Sequence, residues 1–318
     1  MNIQNIRRIV QRGEILEREP MSRHTTFRVG GPARWLIRPA TRKELAGLVR
    51  YFYNNKLPYF VMGNGSNLLV SDAGYEGAVI DIGKHDGTEF TMLGIDDGTD
   101  AATECESGEI RFDAGAGCLM AAVGKFAQQF GASGFEALSG IPGCVGGACA
   151  MNAGAYGAEM KDVIKFLTVV SPKGELLKLD ASEIRFGYRT TSLLEEGYVV
   201  ARAELSFKKG DAETIRAAMD DYMARRKEKQ PLEYPSAGST FKRPEGAFAG
   251  QLIEQAGLKG FSVGGAQVSE KHAGFVINKD HASAQDIYDV IRGVQRRVEE
   301  NSGICLEPEV RLLGNFEE

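Results

Sequence analysis

The sequence predicts an α+β protein with mixed sheets, and the order of its strand-like and helical segments points to this fold class. Strand-like apolar runs and helical patterns occur in groups rather than in strict alternation. The strand-like runs lie at 35–37, 59–62, 78–82, 165–171, 176–179 and 198–207. One helical pattern follows Thr41 with an apolar stripe of Leu45, Leu48, Val49 and Phe52, and the others lie at 118–130, 211–227, 249–256 and 283–301. Glycine is also abundant, with 39 among 318 residues, and it is clustered in a few segments.

Length and composition limit the classes of protein to which the chain can belong. With 318 residues, 43% of them hydrophobic, it is long enough for two or three domains with cores of their own. The net charge of −5 offers no basic face for a nucleic-acid partner. No apolar run approaches the roughly 18–20 residues that span a bilayer, and the polar N-terminus lacks the apolar region of a signal peptide. We therefore expect a cytoplasmic protein with no nucleic-acid or membrane partner, and expect it to be a monomer.

The cysteines are odd in number, and their spacing fits neither a zinc site nor a CxxC pair. They are Cys105, Cys118, Cys144, Cys149 and Cys305. Reduced, buried thiols are the expectation for such a set in a cytosolic protein, and no metal site is expected.

Local signals mark the ends of several helices. Thr41 with Glu44, and Ser283 with Asp286, have the spacing of a capping box, and Gly303 follows the second of these helices as a stop signal. The helix over 211–227 is expected to bury an apolar stripe of Ile215, Ala218, Met219, Tyr222 and Met223.

The chain is expected to form three units. They comprise residues 1–84, 85–210 and 211–304, and a last strand at 305–314 returns to the first unit. The stretch 85–109 differs from the rest because it carries eight acidic residues and no Lys or Arg. A solvated insertion between strands accounts for it. A metal site is the alternative, but the acids lack the spacing of a calcium loop.

Glycine-rich clusters are the main candidates for a binding site. GNGSNL at 63–68 follows a strand, and SGIPGCVGGA at 139–148 is almost continuous with MNAGAYG at 151–157. Glycines let backbone N–H groups approach a phosphate, and Ser and Asn side chains add hydrogen bonds. A tight turn or close helix packing would also use such residues. A groove for a diphosphate accounts for both clusters, and the segment 28–33 is a candidate to close it. Neither a GxGxxG fingerprint followed by a helix nor a Walker A sequence occurs.

Five segments together resemble the family of UDP-N-acetylenolpyruvoylglucosamine reductases. GNGSNLLVSD at 63–72 and SGIPGCVGGACAMNAGAYG at 139–157 look like the FAD-binding segments of that family. FGYR at 186–189, SAGSTFK at 236–242 and LEPEVR at 306–311 follow in the family's order. The first segment without the others would indicate only a wider class of FAD oxidoreductases.

The resemblance, which spans roughly residues 20–314, refines the expected fold and domains. It implies a two-subdomain FAD-binding unit of the PCMH/VAO type, formed by 1–84 and 85–210, and a C-terminal α+β substrate-binding domain at 211–304. Only about fifty residues separate Arg189 from Ser239, which is typical of the subgroup that lacks an extra substrate-capping loop.

The same resemblance assigns roles residue by residue. Arg189, Ser239 and Glu309 match the catalytic positions, although Glu307 lies close enough to be confused with the last of these. The residues implied to contact non-covalent FAD are Gly63, Asn64, Gly65, Ser66, Asn67, Leu68, Gly117, Pro142, Gly143, Gly146, Gly147, Ala148, Asn152, Gly154 and Ala155. Those implied to contact the sugar nucleotide are Tyr188, Lys229, Lys242, Arg243 and His272. Arg243 departs from the family, which often has Asn there.

The implied reaction is the reduction of UDP-N-acetylglucosamine enolpyruvate to UDP-N-acetylmuramate in peptidoglycan precursor synthesis. NADPH reduces FAD, which delivers hydride to the terminal vinyl carbon. Arg189 and Glu309 would stabilise the charge that develops on the conjugated carboxylate, and Ser239 would protonate the adjacent carbon. The alternatives are another FAD-dependent sugar or lactone oxidoreductase and a non-catalytic nucleotide-binding relative. In those cases Arg189 could be a surface cation, Ser239 a turn residue and Glu309 a salt-bridge partner.

Overall fold

The computed structural model describes residues 3–83, 85, 87–94, 103–104 and 109–317. The helices are α1 (Ile3–Ile9), α2 (Arg42–Asn54), α3 (Met120–Gln129), α4 (Val145–Ala150), α5 (Ser192–Glu195), α6 (Ala212–Lys229), α7 (Ala249–Gln255) and α8 (Ala284–Ser302). None of the helices in the described part of the chain is both long enough and apolar enough to cross a bilayer.

The strands confirm the predicted α+β class with mixed sheets. The first ten are β1 (Glu14–Pro20), β2 (Pro32–Arg38), β3 (Tyr59–Met62), β4 (Leu68–Val70), β5 (Tyr75–Asp81), β6 (Leu93–Gly94), β7 (Thr103–Glu104), β8 (Glu109–Gly115), β9 (Ala132–Ser133) and β10 (Gly154–Ala155). The others are β11 (Ala158–Glu159), β12 (Ile164–Val170), β13 (Leu176–Asp180), β14 (Phe186–Gly187), β15 (Thr190–Thr191), β16 (Val199–Lys209), β17 (Ser262–Val263), β18 (Ala266–Val268), β19 (Val276–Asn278) and β20 (Arg311–Leu313).

The sheets combine parallel and antiparallel pairs. One sheet has the order β1-β2-β5-β3, in which β3 and β5 are parallel. A larger sheet has the order β13-β12-β16-β8-β6, in which β16 runs antiparallel to both of its neighbours. Near the C-terminus, β17-β18-β19 form a small antiparallel sheet, and β20 pairs in parallel with β4.

The chain divides into two compact units. The first comprises Met1–Leu16, Leu36–Asn64 and Gly77–Ala224, and the second comprises Glu17–Trp35, Gly65–Glu76 and Arg225–Glu318. The division falls inside the segment GNGSNLLVSD, between Asn64 and Gly65.

The core of the first unit is formed by the large sheet together with α3 and α4. Phe112 of β8 stacks on Phe207 of β16 with ring centroids 4.5 Å apart, and Phe126 of α3 meets Phe112 edge-on. Each buried side chain of this size contributes about 1.5–3 kcal/mol through removal of apolar surface from water. Because α4 packs against β8 and β16, the glycine-rich stretch around it rests on a rigid sheet.

The core of the second unit is formed by α7 and α8 packed on the sheet β17-β18-β19. The side chain of Ser283 caps α8, Asp286 completes the capping box, and Gly303 ends the helix with a φ of 73°. The apolar stripe Ile287, Val290, Ile291, Val294 and Val298 is buried, as the period of the sequence predicts.

Some local expectations were wrong. Met223 of α6 is 37% exposed rather than buried, because the apolar face of this helix is packed mainly through Ile215. Thr41 does cap α2, but the carboxylate of Glu44 is buried and accepts the backbone N–H groups of Gln11, Arg12 and Ala40. Glu44 therefore connects the segments that follow α1 and β2 to α2. Its carboxylate does not cap the N-terminus of α2.

The cysteines follow the expectation with one exception. Cys118, Cys144 and Cys149 are buried free thiols, whereas Cys305 is exposed because it lies in the turn that follows α8. Cys105 lies outside the described residues. Most of the acidic stretch 85–109 also lies outside them. Within the described ranges, no group of three or more His, Cys, Asp or Glu side chains is placed to hold a metal ion.

Asp72 belongs to the glycine-rich motif by sequence, but its side chain serves the second unit. Its carboxylate oxygens accept the N–H groups of Ala284 and Gln285, each at 2.9 Å, at the start of α8. We expect Asp72→Ala to lower the free energy of unfolding by about 1–2 kcal/mol, because two N–H groups at the positive end of a long helix lose their acceptor. Urea denaturation with flavin content recorded in parallel measures this.

The matched control is Glu76→Ala, which removes an acid whose salt bridge with Arg18 is exposed. An exposed pair of this kind contributes little to stability, at most about 1 kcal/mol. Equal stability losses in the two variants would contradict the helix-capping role of Asp72.

Candidate active site

Backbone N–H groups converge on one buried side chain in the first unit. The N–H groups of Gly147 and Asn64 point toward Sγ of Cys144, which is 2% exposed, while the N–H of Gly146 donates to the carbonyl of Ala116 at 2.8 Å. Burial raises the pKa of the Cys144 thiol, and the neighbouring backbone N–H groups oppose that shift only in part. The raised pKa keeps the thiol neutral, and Cys144 packs against an array of small residues at the start of α4 and at residues 63–64.

Two glycines of this array leave no space for a side chain. A Cβ on Gly63 would stand 2.0 Å from Sγ of Cys144, and a Cβ on Gly117 would stand 2.4 Å from the carbonyl oxygen of Gly83. Gly147 differs, because a Cβ there would meet no protein atom within 4 Å. The array is thus closely packed on the protein side and open at Gly147, which fits the diphosphate of FAD.

The other predicted cofactor residues of the first unit lie around α4. Pro142 is exposed, and the carbonyl of Gly143 accepts the N–H of Met120 at 3.1 Å. Ala148 is buried within α4, while Gly154 and Ala155 form β10, which pairs with β11. Their assignment to the cofactor site stays a prediction.

The second half of the first motif lies in the second unit. Gly65 has a φ of 60°, and a Cβ there would stand 2.0 Å from the carbonyl oxygen of His24. Nδ2 of Asn67 donates to the backbone carbonyl of Glu309 at 3.0 Å, and Arg311 N–H donates to the carbonyl of Asn67 at 3.1 Å. The motif is therefore bonded through Asn67 to the chain at Glu309 and at Arg311.

Arg189 lies at the tip of a hairpin in the first unit. Strands β14 and β15 pair Gly187 with Thr190, which leaves Tyr188 and Arg189 as a two-residue turn. Arg189 adopts a φ of 56°, a left-handed conformation that favours glycine or asparagine. Nη2 of Arg189 donates to the carbonyl of Gly154 at 2.9 Å. A strained residue held by its surroundings is typical of functional sites.

Ser239 and Glu309 lie on neighbouring segments of the second unit. Phe241 pairs with Pro308 in an antiparallel bridge, and the Glu309 N–H donates to the carbonyl of Thr240 at 2.8 Å. Thr240 is fully buried, and its hydroxyl accepts the N–H of Val276 at 3.0 Å. The buried threonine thus fixes the backbone that carries exposed Ser239 beside half-buried Glu309.

The side chains that are predicted to contact the substrate differ in exposure and in their present partners. The exposed ring of Tyr188 lies 5.4 Å from the Arg189 guanidinium, and the Arg243 guanidinium lies 4.0 Å from the ring of Phe248. The ammonium of Lys242 forms an ion pair with Glu307, and Lys229 is exposed at the end of α6.

His272 is held by its own loop. Burial lowers the pKa of this imidazole, and its Nδ1 accepts the N–H of Gly274 at 3.1 Å. In neutral His272 the ring proton is therefore on Nε2, which can donate a hydrogen bond.

Sequence reasoning did not assign a role to Arg311. This residue begins β20, is half-buried, and has its pKa lowered by burial. Its position two residues after Glu309, within the segment LEPEVR, was the available signal.

Comparisons with known proteins first establish the class. Residues 33–180 match the family described as FAD binding domain, so the chain is a flavoprotein with a PCMH/VAO-type FAD-binding domain. Residues 230–313 match the family described as UDP-N-acetylenolpyruvoylglucosamine reductase, C-terminal domain. The prediction of an FAD-binding part followed by a C-terminal α+β domain is confirmed.

Individual relatives then identify the family. The chain is 43% identical over 312 residues to the UDP-N-acetylenolpyruvoylglucosamine reductase of Caldanaerobacter subterraneus, covering 98% of each chain. It is 48% identical over 303 residues to that of Agathobacter rectalis, covering 95% of each. The crystal structure of the enzyme from Thermus caldophilus is similar with a TM-score of 0.76 and 36% identity, over 95% of this chain and 99% of that one. The chain belongs to the UDP-N-acetylenolpyruvoylglucosamine reductase family.

Gly147 allows a direct test of the cofactor cradle. We expect Gly147→Ala to leave the stability of the apoprotein unchanged or slightly raised, because the new Cβ meets no protein atom and alanine favours the helix by up to about 1 kcal/mol. We expect its affinity for FAD to fall by at least about tenfold, because the methyl group would occupy the space of the diphosphate. Fluorescence titration of apoprotein with FAD measures this.

The matched variant is Gly63→Ala, whose Cβ would collide with Cys144 and should reduce both stability and FAD binding. If Gly147→Ala binds FAD as tightly as the unsubstituted protein, the diphosphate does not pass over Gly147.

Proposed function

We propose that the protein reduces UDP-N-acetylglucosamine enolpyruvate to UDP-N-acetylmuramate, a step of peptidoglycan precursor synthesis, with NADPH as the electron donor. The observation that carries the proposal is the pairing of the Ser239 and Glu309 segments in the second unit. A proton donor and an acid on adjacent segments of the chain are the groups that this reduction requires beside the reacting double bond. The cofactor is FAD, bound without a covalent link.

Each catalytic residue has a separate task. FAD, when bound, supplies the hydride that it takes from NADPH, and this hydride forms the new C–H bond at the terminal vinyl carbon. Arg189 binds the substrate carboxylate, because its guanidinium is always charged and can donate two parallel hydrogen bonds. Glu309, in its protonated form, donates a hydrogen bond to the same carboxylate as negative charge develops there. Ser239 gives its hydroxyl proton to the carbon next to the carboxylate and is then reprotonated, so that two hydrogens add across the double bond.

The uridine diphosphate of the substrate is negatively charged, so it needs cations to bind it and a segment of the protein to shield it from solvent. We assign this role to His272, Lys229 and Arg311, and assign an aromatic contact to Tyr188. Lys242 and Arg243 remain candidates that would first have to leave Glu307 and Phe248, respectively. Short spacing between Arg189 and Ser239 supports membership of the subgroup that lacks the extra capping loop.

Further aspects of the proposal concern the whole chain. We propose a monomeric, cytoplasmic enzyme with FAD-binding subdomains at 1–84 and 85–210 and a substrate-binding domain at 211–304. The parallel pairing of β20 with β4 supports the return of the C-terminal strand to the first subdomain.

An anaerobic absorbance experiment tests the proposed function. We expect flavin bands in the purified protein that bleach with NADPH and return when UDP-N-acetylglucosamine enolpyruvate is added. Bands that bleach but do not return with this substrate would favour another sugar or lactone oxidoreductase. A colourless protein that FAD cannot reconstitute would favour a non-catalytic relative.

A further inference from the structure

The side chain of Asn152 is committed to contacts within the protein. It is 1% exposed, and its Nδ2 donates to the Glu159 carboxylate at 3.0 Å and to the backbone carbonyl of Gly187 at 3.1 Å. Its Oδ1 accepts the N–H of Lys161 at 3.0 Å. An asparagine amide has two N–H donors, so both are used here. This side chain therefore has no donor left for a cofactor.

The contact with Gly187 lies at the base of the hairpin that carries Arg189. Gly187 pairs with Thr190, and these two residues flank the turn Tyr188-Arg189. A hydrogen bond to the carbonyl of Gly187 therefore fixes the strand end immediately before the turn. It does so from the segment that follows α4.

Other hydrogen bonds join the same two segments. Nη2 of Arg189 donates to the carbonyl of Gly154 at 2.9 Å, and the buried hydroxyl of Thr191 donates to the carbonyl of Ala150 at 2.7 Å. The hairpin is thus attached before, within and after its turn to the chain between residues 150 and 154. Asn152 lies in the middle of this stretch.

Glu159, which accepts a hydrogen bond from Asn152, is kept in its ionised form. The Lys161 ammonium, 2.6 Å away, lowers the pKa of Glu159 below its usual value, with Asn152 and the positive charge of Arg189 acting in the same direction against burial. The carboxylate therefore accepts from Asn152 at neutral pH and orients the amide so that its second N–H faces Gly187.

The backbone conformation at position 152 also explains why this residue is an asparagine. Its φ is 46°, in the left-handed region that asparagine tolerates better than most residues. An alanine would be strained there, and a glycine would keep the conformation without the amide. Asparagine satisfies both the backbone and the hydrogen bonds.

We propose that Asn152 is a positioning residue for Arg189, which uses its amide to hold the hairpin so that the guanidinium meets the substrate carboxylate. The inference rests on the proposed function, because it assumes that Arg189 binds this carboxylate. It assigns to Asn152 a role in the second half-reaction, instead of the FAD contact that the sequence implies.

The test uses the double variant Asn152→Asp with Glu159→Gln. The introduced aspartate keeps an acceptor for the Lys161 N–H and tolerates the left-handed backbone. The introduced glutamine can donate to that aspartate, so the bond between the two side chains is restored with its direction reversed. The net charge of the pair is unchanged. The donor to the Gly187 carbonyl is missing, together with the ion pair between residue 159 and Lys161, so Glu159→Gln alone, which keeps that donor, is measured alongside.

We expect this double variant to retain FAD and to be reduced by NADPH within about twofold of the normal rate. Reoxidation by the enolpyruvyl substrate should slow by about 10- to 100-fold in stopped-flow traces, because small displacements of a binding group have effects of this size. Asn55→Asp is the matched control, since Asn55 also donates to a backbone carbonyl, that of Tyr51, and has no role in the site. It should leave both half-reactions unchanged.

A second comparison separates the inference from the proposed function. In an Arg189→Ala background, the double variant should cause no further loss of reoxidation rate, because Asn152 acts through Arg189. Normal reoxidation in the double variant, or loss of FAD from it, would overturn the positioning role. Normal reoxidation in Arg189→Ala itself would instead overturn the proposed function of Arg189.

Discussion

Replacing Ser239 by alanine should leave the reduction of the bound flavin by NADPH intact and slow its reoxidation by the enolpyruvyl substrate by about 10²- to 10⁴-fold. The hydroxyl is the proposed proton donor to carbon, so its loss affects only the step in which the double bond is reduced. Ser239 is exposed, while its neighbour Thr240 is buried and bonded to Val276. Because Thr240 holds the backbone, the substitution should not disturb the fold.

Rapid mixing measures the two half-reactions separately, and Ser262→Ala provides the control. Ser262 is an exposed serine of the second unit whose hydroxyl donates to the carbonyl of Gly260 at 2.9 Å. Its removal should change neither rate. If Ser239→Ala slowed both half-reactions equally, the serine would not be the proton donor.

Replacing Arg189 by lysine should slow reoxidation by at least about 10²-fold, although the positive charge is kept. A lysine cannot hold a carboxylate with two parallel hydrogen bonds, and its ammonium cannot keep the contact of Nη2 with Gly154 while also binding the substrate. The affinity for the enolpyruvyl substrate should fall together with the rate. Flavin content and reduction by NADPH should be unaffected.

Arg185→Lys is the matched control for this substitution. Arg185 lies four residues earlier in the chain, is 74% exposed, and forms ion pairs with Glu195 and Glu196 at the surface. Lysine should replace it without effect on either half-reaction. A rate for Arg189→Lys within about threefold of the control would contradict bidentate binding of the carboxylate.

Much of the fold was predictable because it depends on local patterns. The capping box of Ser283 and Asp286, the stripe that follows and the stop at Gly303 all lie within one helix, and each was found where expected. The stripe of α6 was less well predicted. Its sequence marks a helix, but the burial of Met223 depends on what packs beside it, which no local pattern specifies.

Contacts between residues that are far apart in the sequence could not be predicted from local sequence patterns. Asn67 and Asn152 were expected near the cofactor because they lie in glycine-rich motifs, yet the described bonds of their amides lead to Glu309 and Gly187. The first of these partners lies 242 residues away in sequence. The left-handed backbone of Arg189 could not be predicted from the sequence either, because the register of a two-residue turn is set only when both strands are paired.

The left-handed backbone of Arg189 has a consequence for the laboratory evolution of this enzyme. A screen for heat resistance alone would reward glycine or asparagine at position 189, since either relieves backbone strain of about 1 kcal/mol or more. With the role that we propose for Arg189, the survivors would be more stable proteins that bind the substrate carboxylate poorly. Libraries aimed at thermal tolerance should therefore keep this codon fixed, because a consensus drawn from such survivors would lose the residue that we propose binds the substrate.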